Sequence, residues 1–219
     1  MTSDETTSAI GVAPVFSSAA DATNPPPSPS PSPSPSPSAT IQVPAPESAS
    51  DPSFVAALTA LVNAVYGEAE GTIYKSAFSR TSESQIAGYL KAGELAVASS
   101  SAESQPKPLG CVFIKRLAPS VGEFGMLAVD PLVRGTGLGR DLVRFAEERC
   151  RRELGVSTIR LELLVPVHFE HEGKTRLQAW YTRLGYVMTE LRDFGDAYPA
   201  LNALLAGPTE YRVFEKLVA

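Results

Sequence analysis

Residues 123–154 read EFGMLAVDPLVRGTGLGRDLVRFAEERCRREL, and this stretch decides the fold. Phe124 to Val129 is apolar and β-prone, and Asp130-Pro131 stops it, because proline has no N–H with which to continue a ladder. Arg134-Gly135-Thr136-Gly137-Leu138-Gly139 then packs three glycines into a short turn. Behind it Leu138, Leu142, Phe145, Ala146, Cys150 and Leu154 recur at helical spacing, and charged residues from Asp141 to Arg152 hold the opposite face. Gly155 is placed to end that helix. Strand, glycine turn and helix together form an anion site. Glycines let backbone N–H groups approach a ligand, the helix N-terminus adds partial positive charge, and Arg134 adds a full charge with a bidentate donor.

The kind of anion is narrowed by what the turn lacks. No lysine followed by serine or threonine stands where a P-loop requires it. Gly135 and Gly137 fit the start of a dinucleotide fingerprint, but its closing position is Arg140. Arg134 to Gly139, preceded by Leu127-Ala128-Val129-Asp130-Pro131, resembles the acetyl-CoA signature of the GCN5-related N-acetyltransferase (GNAT) family. The resemblance implies that Leu127, Ala128, Val129, Arg134, Gly135, Thr136, Gly137, Leu138, Gly139 and Arg140 bind the cofactor, acetyl-CoA acting as cosubstrate without a metal. A glycine turn that merely packs a helix onto a strand is the alternative.

Composition sets the outer limits. The chain has 219 residues, 43% hydrophobic, enough for one sizeable domain with a buried core. A net charge of −5 and a pI near 5.2 give no reason to expect nucleic acid or an anionic membrane as partner. Cys111 and Cys150 lie in apolar patterns and read as reduced core residues, which suits an intracellular protein, cytoplasmic or nuclear. No apolar run reaches membrane-spanning length, and the N-terminus lacks the basic and apolar segments of a signal peptide.

Residues 1–39 are low complexity, with strict Ser-Pro alternation up to Ser38, and are expected to be a disordered tail, either merely solvated or a docking or phosphorylation segment. Thr40 to Val43 is a short β-like run. Asp51 and Pro52 open a helix whose face is Phe54, Leu58, Leu61, Val62 and Val65, ending near Gly67. Ser82 with Gln85 offers a capping box for a second helix closing near Gly93. Strands are expected at 94–98, 109–117 and 121–129. After the central helix comes a strand from Thr158 to Val165 in which Ile159, Leu161, Leu163 and Val165 alternate with Thr158, Arg160, Glu162 and Leu164. Thr175 with Gln178 suggests another capping box opening a helix to Gly185, followed by strands at 186–191 and 211–218 with a short helix between them at 198–205. The order βααβββαβαβ(α)β predicts an α/β (mixed α+β) protein. Residues 40–219 would form a single GNAT-like domain with a central sheet of about six to seven strands flanked by helices.

The resemblance extends to a second signature, Leu177-Gln178-Ala179-Trp180-Tyr181-Thr182-Arg183-Leu184-Gly185-Tyr186. It implies that Tyr181 faces the thioester sulfur as general acid, a phenol being protonated at neutral pH. It also implies a β-bulge that splays the strand around Met126 to Val129 and lets the pantetheine arm pair with it. Because a bulge shifts the alternation, no faces are assigned along Glu123 to Val129. Lys174 stands where relatives often carry an asparagine and would reach a phosphate instead. Glu123, at the start of the strand feeding the cofactor loop, is the first candidate for general base, and Glu162 the second. Tyr66, Glu68, Tyr74 and Phe78 lie where the family shapes its acceptor site. His168 and His171, flanked by Glu170 and Glu172, could be a metal pair, but a polar loop is the simpler reading because no cysteine lies nearby. The expected activity is acetyl transfer from acetyl-CoA to a primary amine of a small molecule or protein by direct attack. The alternatives are a CoA-binding regulatory module with little catalysis and, more remotely, a dinucleotide oxidoreductase.

Overall fold

The computed structural model describes residues 39–76, 78–100 and 107–218. The tail expected at residues 1–39 therefore lies, apart from Ala39, outside the described residues. Seven strands form one sheet: β1 (Ala39–Gln42), β2 (Leu95–Ser100), β3 (Pro108–Ala118), β4 (Val121–Val129), β5 (Thr158–Pro166), β6 (Val187–Arg192) and β7 (Thr209–Leu217). Their spatial order is β1-β2-β3-β4-β5-β7-β6, and every neighbouring pair is antiparallel except β4 and β5. This is the mixed sheet flanked by helices that the element order predicts.

Helix α1 (Pro52–Glu70) starts where the sequence indicates, with the Asp51 carboxylate accepting from Ser53 N and Phe54 N at 2.9 and 3.1 Å. Its buried line is Val55, Leu58, Val62 and Val65, with Phe54 and Leu61 on the flanks rather than at the centre. It also runs past Gly67 to Glu70, whose carboxylate is tied to Lys174 across the cleft described below. Helix α2 (Glu83–Lys91) carries the capping box formed by Ser82 and Gln85. Both helices cover one face of the sheet, packing on Leu95, Val97, Cys111, Phe113, Met126 and Ala128.

Helix α3 (Leu138–Arg152) covers the other face with Leu138, Leu142, Val143, Ala146 and Cys150. It ends before Leu154, so that residue lies beyond the helical stripe to which its spacing assigned it. The helix sits close on the sheet because Gly110 has no side chain; a Cβ there would stand 2.8 Å from Ala128 O and 3.0 Å from Leu142 Cδ1. Leu142 is fully buried, and truncation to alanine would remove about 2–5 kcal/mol of stability.

Helix α4 (Glu172–Arg183) begins three residues before the expected capping box. The His171 ring accepts from Lys174 N and caps it, while Thr175 lies inside the helix and Gln178 is taken by Arg212. In place of one helix at 198–205 there are two single turns, α5 (Phe194–Ala197) and α6 (Pro199–Asn202), with Tyr198 between them. Leu164 is buried like Leu163 instead of alternating out. The reason is a third core cluster, with Ile73, Tyr74, Phe194, Leu205 and Tyr211, which covers the second face of β5. No helix of the described residues is long and apolar enough to cross a membrane.

Candidate active site

The sheet splits in the middle. β4 and β5 pair only through Val121–Glu123 and Thr158–Arg160; beyond that β4 stays with β3 to Val129, and β5 stays with β7 to Pro166. The split coincides with a bulge. Between Cys111 and Phe113 on β3, the partner residues on β4 step from Ala128 to Gly125, one residue more, and Met126 adopts φ +46°. The extra residue reverses the alternation: Phe124 faces the α3 side, whereas Met126 and Ala128 face α1 and α2. A positive φ at a methionine is a strained conformation that packing must hold. The split opens a cleft of about 1230 Å³, floored by Gly125, Met126 and Leu127 on one side and by β5 from Leu161 to Leu164 on the other.

The glycine turn follows β4 and the short turn at 131–133, and its first residue, Arg134, lines the cleft. Gly135 (φ +83°) and Gly137 (φ +96°) take left-handed conformations that favour glycine, and Gly137 leads into α3 without a side-chain cap. Among the described residues the N–H groups of Thr136, Leu138, Gly139 and Arg140 have no backbone acceptor, the first intrahelical bond being Asp141 N to Gly137 O. Unpaired donors at a helix N-terminus are suited to an anion. Thr136 turns its hydroxyl to Val133 O at 2.8 Å, and Arg140 is exposed beside Asp141. Arg134 lines the cleft with its guanidinium held by both oxygens of Glu68, at 2.7 and 2.9 Å. Leu127 also lines the cleft, Ala128 is buried opposite Cys111, and Val129 pairs with Gly110.

Two candidate catalytic side chains meet in this cleft. Tyr181, from α4, is buried against Phe124, Trp180 and Tyr186. Burial, and secondarily the neighbouring Tyr66, raises its pKa above the ordinary phenol value. A phenol so placed keeps its proton and serves as a donor, not as a base. Glu123 stands at the last paired position before the split, 3.8 Å from Lys115 Nζ. Burial raises its pKa above the usual carboxylate value, and nearby Glu162 adds to this against the opposing pull of Lys115. A carboxylate with a raised pKa is the better proton acceptor. Glu162 is committed elsewhere, accepting from Tyr211 Oη and pairing with Arg192 at 3.3 Å.

The opposite wall holds the remaining residues. Tyr66, Glu68 and Tyr74 line the cleft, and Phe78 stacks on Tyr74 with ring centroids 3.9 Å apart. Lys174 is nearly fully buried and its ammonium is closed on Glu70, so its charge is met inside the protein rather than extended to solvent. Glu70, Arg80 and Tyr198 also line the cleft, and no motif in the chain marks them. Only an i to i+4 spacing of Tyr66 and Glu70 could have hinted that they share a helix face. His171 lines the cleft as the α4 cap, and His168 lies 3.4 Å from Pro208 O. Among the described residues no three His, Cys, Asp or Glu side chains gather in a metal-binding group.

Comparison with known proteins places this arrangement. Residues 91–188 match the model of the acetyltransferase (GNAT) domain. Similar solved structures include an aminoglycoside 6'-N-acetyltransferase complexed with coenzyme A (TM-score 0.58, 15% identity, covering 82% of this chain and 97% of that one). The NatC complex bound to Gag peptide and CoA is similar as well (TM-score 0.57, 17% identity, 83% and 99%). A third is the ribosomal-protein-S18-alanine N-acetyltransferase of Escherichia coli (TM-score 0.53, 16% identity, 83% and 95%). At such identities these likenesses establish the fold. No curated protein sequence matches the chain. Residues 91–188 of this chain thus carry an acetyltransferase (GNAT) domain.

Proposed function

We propose that the protein transfers the acetyl group of acetyl-CoA to a primary amine, of a small molecule or a protein, by direct attack. The observation that carries this reading is the wedge in the sheet, with the bulge at Met126 on one edge and a buried phenol lining it, and unpaired N–H groups of Thr136, Leu138, Gly139 and Arg140 where the chain continues from β4 into α3. The N–H groups and Arg134 would hold the diphosphate, and the free edge of β4 from Met126 to Val129 would pair with the pantetheine arm. For Arg134 to do so it would exchange Glu68 for phosphate, an exchange open to an exposed pair. Glu123 would accept the proton of the attacking ammonium, directly or through water. Tyr181 would donate a hydrogen bond to the departing thiolate. Neither cysteine is fit to form a covalent intermediate: burial pushes the Cys111 thiol up to about 12 and the Cys150 thiol up to about 11, and both are free. Buried free thiols also agree with an intracellular site, cytoplasmic or nuclear. Related structures carry CoA with a peptide or as an aminoglycoside acetyltransferase complex, so the fold accommodates both acceptor kinds. Incubation with acetyl-CoA and a panel of amines, following release of free thiol, tests the reading. Turnover with at least one amine is expected, and failure of the folded protein to bind CoA at millimolar concentration would end it.

A further inference from the structure

Among the described residues one cation lining the cleft has no carboxylate partner. Arg80 is partly buried with its guanidinium over the ring of Tyr66 at 5.3 Å and that of Tyr198 at 5.7 Å. Among the described residues it makes no ion pair and no side-chain hydrogen bond. Five carboxylates that line the cleft are each matched to another cation: Glu68 to Arg134, Glu70 to Lys174, Glu123 to Lys115, Glu162 to Arg192 and Glu172 to Arg176. Glu94 and Glu170 line the cleft without ion pairs, but the groups that act most strongly on Arg80 are Tyr66, Tyr198, Glu70 and Tyr89. Glu70 is the one carboxylate of that set, and Lys174 already neutralises it.

The position of Arg80 is fixed from both sides. Asn63 on α1 clamps the adjoining Thr81, giving Nδ2–H to its carbonyl and accepting its N–H, both at 3.0 Å. Ser82 then caps α2. The two tyrosine rings restrict the side chain itself. Unlike Nε and Nη1 of Arg149, the guanidinium nitrogens of Arg80 are not sealed from solvent, so they are open to a bound anion. Tyr66, Tyr74 and Tyr89 face the same cleft, and their hydroxyls have no partner among the described residues. Burial raises the pKa of all three, so they remain protonated and can donate to the same anion. The site shares its cleft with the reacting centre, since Arg80, Tyr66 and Tyr181 all line it.

We propose that Arg80 binds a carboxylate of the acceptor, so that the preferred substrate is an amine that also bears a carboxylate group. This inference rests on the acetyltransferase reading above. Such an acceptor is either a free amino acid or a peptide whose N-terminal residues are acidic, and in both the amine is directed to the Glu123 end while the carboxylate meets Arg80.

The test offers the full-length protein and acetyl-CoA matched acceptors: free amino acids against their carboxamides, and peptides beginning with aspartate or glutamate against those beginning with asparagine or glutamine. In the wild type the carboxylate member is expected to be favoured by about tenfold or more in kcat/KM, the scale of a charge-assisted hydrogen bond. Arg80→Gln should abolish the preference through KM and leave CoA affinity by calorimetry unchanged; Arg80→Lys should restore part of it. The amino-acid and peptide arms tell the two sources apart. Equal turnover of both members, a preference that survives in Arg80→Gln, or a loss of CoA affinity in that variant would each overturn the proposal. Melting temperature separates it from the acetyltransferase reading. Should no amine be turned over, free amino acids or the acidic peptides must still stabilise the CoA-bound wild type and not Arg80→Gln, and an absence of that difference with both overturns it as well. If Arg80→Gln fails to fold, Arg80→Lys carries the comparison, a weaker carboxylate preference than wild type being required.

Discussion

The two walls of the cleft are made from different material. The wall of β4 presents backbone, a bulge and a free strand edge, and the chain runs on from it through Arg134 into unpaired N–H groups at the α3 N-terminus. The wall of α1, the segment around Arg80, α4 and the turns at 194–202 presents side chains, charged and phenolic, drawn from distant parts of the chain. Backbone geometry tolerates side-chain change but not added bulk or altered φ. A wall of side chains keeps its shape only while each charge retains its partner. The first wall suits a ligand common to a whole family, and the second suits an acceptor that differs from member to member.

Substitutions can break or sharpen that contrast. The largest effect is expected from Lys174→Met, which leaves Glu70 buried without its cation and should cost about 3–5 kcal/mol of unfolding free energy. The double variant with Glu70→Gln should recover most of it, and denaturant titration of the three variants measures the difference. If the single variant is as stable as wild type, the acceptor wall does not depend on charge pairing.

Next is Glu123→Gln, at the point where the two walls part. Loss of a general base predicts a fall of about 10³-fold in kcat at neutral pH. The wild-type profile checks the same residue by pH. Burial raises the folded-state pKa of Glu123, so the protonated form persists above the ordinary carboxylate range and activity should fall on the acid side at a correspondingly higher pH. The linked stability has the same sign: the contribution of Glu123 is fully present below its unfolded pKa and is lost as pH rises through the folded value. An acid limb unchanged in the glutamine variant would assign the base elsewhere.

Tyr181→Phe keeps the buried ring and removes the donor, and a fall of about 10²-fold in kcat with CoA affinity intact is expected. The smallest effect is expected at the glycine turn. Gly137→Ala forces a side chain into φ +96°, at roughly 1–2 kcal/mol, and should weaken CoA about tenfold in calorimetry while the KM for the amine is unmoved. An effect on the amine instead would mean that the walls are not separable.

The same contrast governs how much was legible in the sequence. The strand–turn–helix of Glu123 to Arg152, the Asp51 and Ser82 caps and the succession of strands along the chain all rest on neighbours within a few residues, and they lie where local pattern put them. Where a local signal was overridden, a distant contact did it. Glu70 reaching Lys174, 104 residues on, accompanies the extension of α1 past Gly67, and His171 takes the cap for which Thr175 and Gln178 competed. Leu164 is buried because a cluster from three separate segments covers it.

What the sequence determined by itself is the backbone wall, since glycines at fixed spacing before an amphipathic helix dictate φ values and donor directions without outside help. Tertiary structure alone decided the other wall. Pairing Glu70 with Lys174, and leaving Arg80 between Tyr66 and Tyr198 without a carboxylate, depends on which side chains the sheet brings within a few ångströms, and Coulomb energy and desolvation follow distance in space, not separation along the chain.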